Sequence, residues 1–185
     1  PSPGFARNKA LDAVTGEYLF FTDGDCAPHP EWINLILEKF KLDPKIAGVG
    51  GEIYTKIVEP DNLIESYCEQ TGFLKVAGRY WYMDIKEGYF PPATDMSPSE
   101  VCGHRAFYFA TANAAYRKDI IDKLGMKFWA EPTGEDIEFS LRMRKAGYKL
   151  YFAPNAQVDH MHRANLTALK KVWVGYGKGH PVLVY

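Results

Sequence analysis

An α/β fold with a mostly parallel sheet is predicted by three features of the sequence. Short, wholly apolar runs such as Tyr18-Leu19-Phe20-Phe21 have the character of strands buried on both faces. Amphipathic stretches of helical spacing separate these runs, the alternation expected of an α/β protein. Polar turns rich in Asp, Gly and Pro end the apolar runs abruptly, and in open α/β sheets ligands bind just beyond such strand ends.

The elements follow in order. Residues 5–14 have helical spacing through Phe5, Leu11 and Val14, with Gly16 as the stop. The strand over residues 18–21 runs into Asp23-Gly24-Asp25. Pro28-His29-Pro30 punctuates, and Trp32, Ile33, Ile36, Leu37 and Phe40 then mark an amphipathic helix that closes near Asp43-Pro44. Residues 46–55, with Gly48, Gly50 and Gly51, suit a second buried strand with a bulge or a close backbone approach.

A helix is expected over residues 61–77, with a break at Gly72. Residues 79–105 read as a long loop over the substrate, too long to be a plain connection in a compact domain. A strand over residues 106–116 and a short helix over 118–124, stopped by Gly125, come next. The helix over residues 135–146 has acidic residues in its first turn, basic residues in its last and Gly147 beyond its end. Two strands follow, over residues 148–153 and 156–161, separated by a turn at Pro154-Asn155. The segment 164–185 reads as a helix to Tyr176 and a flexible tail from Gly177.

Composition narrows the classes. A chain of 185 residues with 46% hydrophobic and 24% charged residues suits one globular domain, residues 1–185, and excludes disordered or collagen-like chains. The formal net charge of -1 provides no global field toward nucleic acid, so any phosphate site must be local. Cys26, Cys68 and Cys102 are odd in number and widely spaced, which argues against a disulfide framework and for a reducing, cytoplasmic setting. No apolar run reaches the roughly 18 residues of a membrane span.

Four groups of residues carry chemistry. Asp23 and Asp25 offer hard oxygen ligands to Mg²⁺ or Mn²⁺, although Asp-Gly-Asp is also what a solvated turn contains. Glu135 and Asp136 begin a helix, where a carboxylate either stabilises the positive helix end or serves as a rigid general base. His160 and His162 share one strand face and can approach a metal, while an exposed histidine at a strand end is the plainer reading for His162. Arg7, Arg117 and Arg163 suit phosphate, or solvent. Trp81, Tyr82, Tyr89 and Phe90 are suited to stacking on a sugar or lipid, or to pinning the long loop. Cys26 adjoins the aspartates with no base to activate it.

Gly4-Phe5-Ala6-Arg7-Asn8, Tyr18 to Asp25, and Gly134-Glu135-Asp136-Ile137-Glu138-Phe139-Ser140-Leu141-Arg142 before Ala146-Gly147-Tyr148 together resemble the family 2 glycosyltransferases. The resemblance implies the GT-A fold, a three-layer α/β/α arrangement, and a metal-dependent enzyme that moves a sugar from a nucleotide-diphosphate donor to an acceptor hydroxyl with inversion. It implies an Asp-x-Asp clamp at Asp23 and Asp25, with His160 completing the Mn²⁺ or Mg²⁺ site. Arg7, Asn8, Asp23 and Asn113 fall on the donor side, Asp136 takes the role of base, and Glu135 orients the acceptor.

The family's first strands and nucleotide-gripping loop have no counterpart here, so a fragment is expected. Such a fragment would have an open sheet edge suited to pairing with another copy. The implied acceptor is a saccharide or a lipid-linked one, and Lys170, Lys171, Lys178 and His180 suggest peripheral contact with a cytoplasmic membrane face. Two other readings are a nucleotidyltransferase of similar fold, for which a Gly-rich basic triphosphate loop is lacking, and a non-catalytic interaction module.

Overall fold

The computed structural model describes residues 2–76, 86–90 and 108–179. Its elements in chain order are α1 (Pro3–Ala13), β1 (Tyr18–Phe21), β2 (Cys26–Pro28), α2 (Trp32–Phe40), β3 (Ile46–Lys56), α3 (Leu63–Gln70) and β4 (Gly88–Phe90). A 3₁₀ turn (Thr111–Asn113) then leads into β5 (Ala114–Arg117), α4 (Lys118–Lys123), α5 (Glu135–Lys145), β6 (Lys149–Met161) and α6 (Leu166–Gly179).

One sheet carries the fold, in the order β1-β5-β3-β6-β2, with β4 also paired to β6. The long central pair, β3 with β6, is parallel, as the buried apolar runs predict. The pairs around it are antiparallel, so β1, β3 and β6 share one direction and β2, β4 and β5 oppose it. The sheet is therefore mixed. The opposing strands β2 and β4 are three residues each, too short to show a period in sequence. Among the described residues β1 pairs only with β5, which leaves its other edge open.

Both faces of the sheet are covered. Tyr18 and Phe20 of β1 pack with Trp32, Ile36 and Phe40 of α2, whereas Leu19 and Phe21 pack on the opposite face with Leu11, Ile120, Phe139 and Met143. That two-residue alternation, buried on each side, makes three layers. α2 forms one outer layer and α1, α4 and α5 the other.

The central pair has a fault that matters for the site. Register shifts between Gly51 and Ile53, where β6 passes from Ala153 to Val158. Pro154 falls in this interval, where a residue without an N–H interrupts no ladder. At Gly51 a Cβ would stand 1.7 Å from the carbonyl oxygen of Ala156, so only glycine allows the two backbones this close. The Asn113 amide fills the gap, donating to the carbonyls of Glu52 and Ala156, both at 2.8 Å, and accepting from Trp32 Nε1 at 2.7 Å.

Several boundaries differ from expectation. The two strands expected over 148–161 are one strand, because Pro154 and Asn155 lie in the shifted register rather than in a chain reversal. α3 ends at Gln70, ahead of Gly72 with φ 61°. Within the described part, 108–116, of the strand expected over 106–116, strand is found only from Ala114, in Ala114–Arg117, preceded by the 3₁₀ turn. α6 continues through Gly177 and Lys178, where a tail is expected. The expected loop over 79–105 lies outside the described residues except for 86–90, where Phe90 stacks on Phe109 and Phe152 and Tyr89 meets Tyr151 edge-on. Trp81, Tyr82 and His180 also lie outside the described residues, while Lys170, Lys171 and Lys178 are exposed. No described helix is long and apolar enough to cross a membrane.

Candidate active site

Three segments, two near the start of the chain and one more than 100 residues later, meet beyond the ends of β1 and β6. The first is the turn after β1. The Cys26 N–H donates to the carbonyl of Asp23 at 3.1 Å, which closes the turn, and the Met161 N–H donates to the carbonyl of Asp25 at 2.9 Å, which ties it to β6. Short β2 then pairs with β6, Cys26 directly opposite His160. Asp25 Oδ1 is 3.5 Å from His160 Nε2, and Asp25 Oδ2 is 3.5 Å from Arg163 Nη1.

The second segment is α1. Ser2 caps it, its hydroxyl accepting from the Phe5 N–H at 3.3 Å, with Pro3 at the first helical position. Leu11 enters the core, and Arg7, one turn earlier on the same side, reaches the strand ends. Its guanidinium pairs with Glu135 and lies 3.5 Å from Asp23 Oδ1. Asn8 binds the backbone of Phe128 in both directions, donating to its carbonyl at 2.8 Å and accepting from its N–H at 2.7 Å. Asn8 thereby fastens the loop that leads to α5.

The third segment is the start of α5. Gly134 caps it with φ 89°, a conformation that favours glycine. Glu135 then turns inward, its side chain 8% exposed against Arg7, while Asp136 is half-buried with Oδ1 accepting from the Ile137 N–H at 2.8 Å. Arg7 thus links the Asp-Gly-Asp turn to the Glu-Asp pair. With Arg7→Ala, the Glu135 carboxylate is left buried without that cation, and about 3–5 kcal/mol of stability should be lost. Urea melts of the two proteins measure this, and a loss under about 1 kcal/mol would place the pair outside the structural framework.

These segments line one cleft of about 570 Å³, which includes Arg7, Asp23, Glu135, Asp136 and His160. An adjoining cavity reaches Asp25, His162 and Arg163. Burial and the neighbouring His160 push His162 down to about 4, so its imidazole is neutral near pH 7, consistent with its contact to Thr55 Oγ1 at 3.0 Å. The far wall is aromatic. Phe73 stacks on Tyr176 at 6.3 Å and meets Trp173 at 5.3 Å. Leu74, which follows Phe73 and also lines the cleft, has φ 69° and is the one described non-glycine residue in the left-handed region. The Thr133 hydroxyl donates to the carbonyl of Gly175 at 3.0 Å, tying α6 to the loop before Glu135.

The structure therefore gathers Arg7, Asp23, Asp25, Glu135, Asp136 and His160. Asn113, expected on the donor side, is 1% exposed and bonds to the backbone of the sheet. Arg117, weighed for phosphate, bonds instead to the carbonyls of Ile46 and Phe40 and to the Tyr18 hydroxyl at the opposite end of β1. Sequence reasoning missed the Phe73, Trp173 and Tyr176 wall, since three aromatics on two distant segments leave no local pattern. It also set Cys26 aside for want of a base, although the strand pairing puts it opposite His160. Burial pushes the Cys26 thiol up, and the charges of Asp23 and Asp25 act in the same direction.

The donor atoms suit a hard or borderline divalent cation. Carboxylate oxygens from Asp23 and Asp25 favour Mg²⁺ or Mn²⁺, and an imidazole nitrogen inclines the set toward Mn²⁺. The His160 Nδ1 is buried with no hydrogen-bond partner, and Nε2 comes no closer than 3.5 Å to Asp25. That is the state of a ring left for a further ligand.

The chain is similar to known glycosyltransferases in sequence and in fold. The chain is 29% identical over 164 residues to the pre-mycofactocin glycosyltransferase of Mycobacterium tuberculosis, covering 89% of this chain and 31% of that protein. It is 25% identical over 186 aligned positions to the dolichyl N-acetyl-alpha-D-glucosaminyl phosphate 3-beta-D-2,3-diacetamido-2,3-dideoxy-beta-D-glucuronosyltransferase of Methanococcus voltae, covering 97% and 51%. This chain thus spans between about a third and a half of the length of these relatives. Among solved structures, GalNAc-T7 with UDP, GalNAc and Mn²⁺ superposes with a TM-score of 0.54 at 15% identity, covering 89% of this chain and 31% of that one, a likeness of GT-A fold. The model of the family described as glycosyltransferase like family 2 matches residues 1–172, and the chain belongs to that family.

Proposed function

We propose that this chain is the catalytic part of a metal-dependent, inverting glycosyltransferase that moves a sugar from a nucleotide-diphosphate donor to a hydroxyl of a saccharide or lipid-linked acceptor. The observation that carries the reading is the meeting of Asp23 and His160 with Glu135 and Asp136 in one cleft, with Asp25 lining the cavity that adjoins it at Asp23 and His160. A dolichyl-linked glucosaminyl phosphate in the name of the Methanococcus voltae relative supports the acceptor class. Mn²⁺ in the GalNAc-T7 structure supports the ion.

Each residue has a role that follows from its surroundings. Asp25 and His160 would hold the divalent cation, with Asp23 beside them on the same turn; the ion supplies charge neutralisation to a diphosphate leaving group. Arg7, fixed between Asp23 and Glu135, keeps the clamp turn at a set distance from α5. Asp136 sits at the first turn of α5, where the helix end favours negative charge, and takes the proton of the acceptor hydroxyl as that oxygen attacks the anomeric carbon. Attack on the face opposite the departing diphosphate inverts that carbon. Phe73, Trp173 and Tyr176 line the cleft as an aromatic cluster, against which a pyranose or an apolar chain of the acceptor can lie. Holding both reactants in line supplies much of the rate.

Calorimetry with uridine and guanosine diphosphates tests the clamp. Binding should require Mn²⁺ or Mg²⁺ and should weaken at least about tenfold in Asp25→Asn, which removes one anionic ligand. Binding that ignores both the metal and the substitution sinks the assignment.

A further inference from the structure

We propose that Cys26, together with Asp25 and His160, forms a binding site for a thiophilic divalent cation of the zinc class, overlapping the Mn²⁺ or Mg²⁺ position. The site rests on the geometry of the turn and β2. Only the competition between the two ions rests on the function proposed above.

Cys26 and His160 are directly paired across β2 and β6, so their side chains share a face of the sheet. Asp25 immediately precedes Cys26, and its backbone is held by the Met161 N–H. One ligand atom from each of Asp25, Cys26 and His160 lies within 4.8 Å of the other two, and no other group of three such ligands occurs among the described residues. A tetrahedral ion with bonds of about 2.0–2.3 Å places its ligand atoms roughly 3.3–3.8 Å apart, a distance that rotation of these side chains can reach. A separate observation points the same way. The His160 side chain is 12% exposed, its Nδ1 is buried without a partner, and Nε2 has only the 3.5 Å approach to Asp25.

The donor set decides the class of ion. A hard cation uses the carboxylates and accepts the imidazole, but gains little from sulfur; a borderline-soft cation gains from all three, and Mn²⁺ stands lowest in the affinity order of the first-row divalent metals. As the metal–sulfur bond forms, the sulfur contributes an electron pair, the S–H bond breaks and its proton passes to solvent. Three protein ligands leave the fourth position open for water or a phosphate oxygen. Zn²⁺ bound in this way occupies the position needed by Mn²⁺.

The test is a Co²⁺ titration of the whole chain in the presence of a phosphine reductant, read by absorbance. One equivalent of Co²⁺ should produce a near-ultraviolet thiolate-to-cobalt band, Zn²⁺ should abolish it, and Mg²⁺ should not. The band should vanish in Cys26→Ser and persist in Cys102→Ser. Zn²⁺ affinity should fall at least about tenfold in Cys26→Ser, with Mn²⁺ affinity changed less than about twofold. Alkylation of Cys26 in the unmodified chain, mapped by mass spectrometry, should be slowed by Zn²⁺ and not by Mg²⁺, a readout that needs no variant. Co²⁺ bound without a thiolate band, a band that survives Cys26→Ser, or alkylation indifferent to Zn²⁺ would overturn the proposal. Metal-independent nucleotide binding in the Asp25→Asn experiment overturns the glycosyltransferase reading instead, and leaves the thiolate site standing if the band is present.

Discussion

Asp136→Asn is expected to lower turnover of a nucleotide-sugar donor by about 10²–10⁴-fold, the range over which a positioned general base contributes. The substitution is nearly isosteric. The Asn side-chain oxygen can still accept from the Ile137 N–H, as Asp136 does at 2.8 Å, so the first turn of α5 should stay in place. Asp23, Asp25, His160 and the Arg7–Glu135 pair are untouched, and metal-dependent nucleotide binding should be unchanged. Release of nucleoside diphosphate from a panel of nucleotide sugars, followed beside calorimetry on the same preparation, separates the two effects. A variant that keeps more than about a tenth of the rate would remove Asp136 from the role of base.

Asn113→Ala is expected to cost about 3–5 kcal/mol of stability, the sum for three buried hydrogen bonds lost at two carbonyls and one indole N–H. The structure supports a figure at the upper end of ordinary point substitutions. Asn113 is 1% exposed, and its amide is the group that joins β3, β6 and α2 at the register shift. Asn113→Asp should fare no better, because it faces two carbonyl oxygens with a carboxylate oxygen in place of the amide N–H donors. Denaturant melts followed by far-ultraviolet circular dichroism measure the loss. A loss near zero would mean that the shifted register is held by other groups and that Asn113 faces a ligand.

The parts of the fold legible in sequence are those with a period and a stop. β1, α2, α4 and α5 lie where the apolar spacing and the caps put them, because each buries a continuous stripe or run and ends at a glycine, a proline or a polar turn. β2 and β4 were not legible, since three residues carry no period and exist as strands only through β6. Pro154 misleads a sequence reading by implying a turn, whereas the missing N–H falls in the interval where the ladder is already broken. The same holds for the site. Asp23, Asp25, Glu135, Asp136 and His160 stand near strand or helix ends, which the sequence marks, whereas Arg7, in the middle of α1, stood out only through the family motif. Asn113 looks the same in sequence whether it binds a ligand or two carbonyls. The aromatic wall and the Cys26–His160 pair arise from long-range pairing, on which local sequence has no bearing.

The direct test of the account is a crystal soaked with Mn²⁺ and a nucleoside diphosphate, with the ion located by its anomalous scattering. The account predicts one Mn²⁺ with Asp25 and His160 among its ligands at roughly 2.0–2.4 Å, and the diphosphate on its open side toward the cleft that holds Asp136. A Mn²⁺ ion located away from both Asp25 and His160, with the nucleotide held elsewhere, would contradict it.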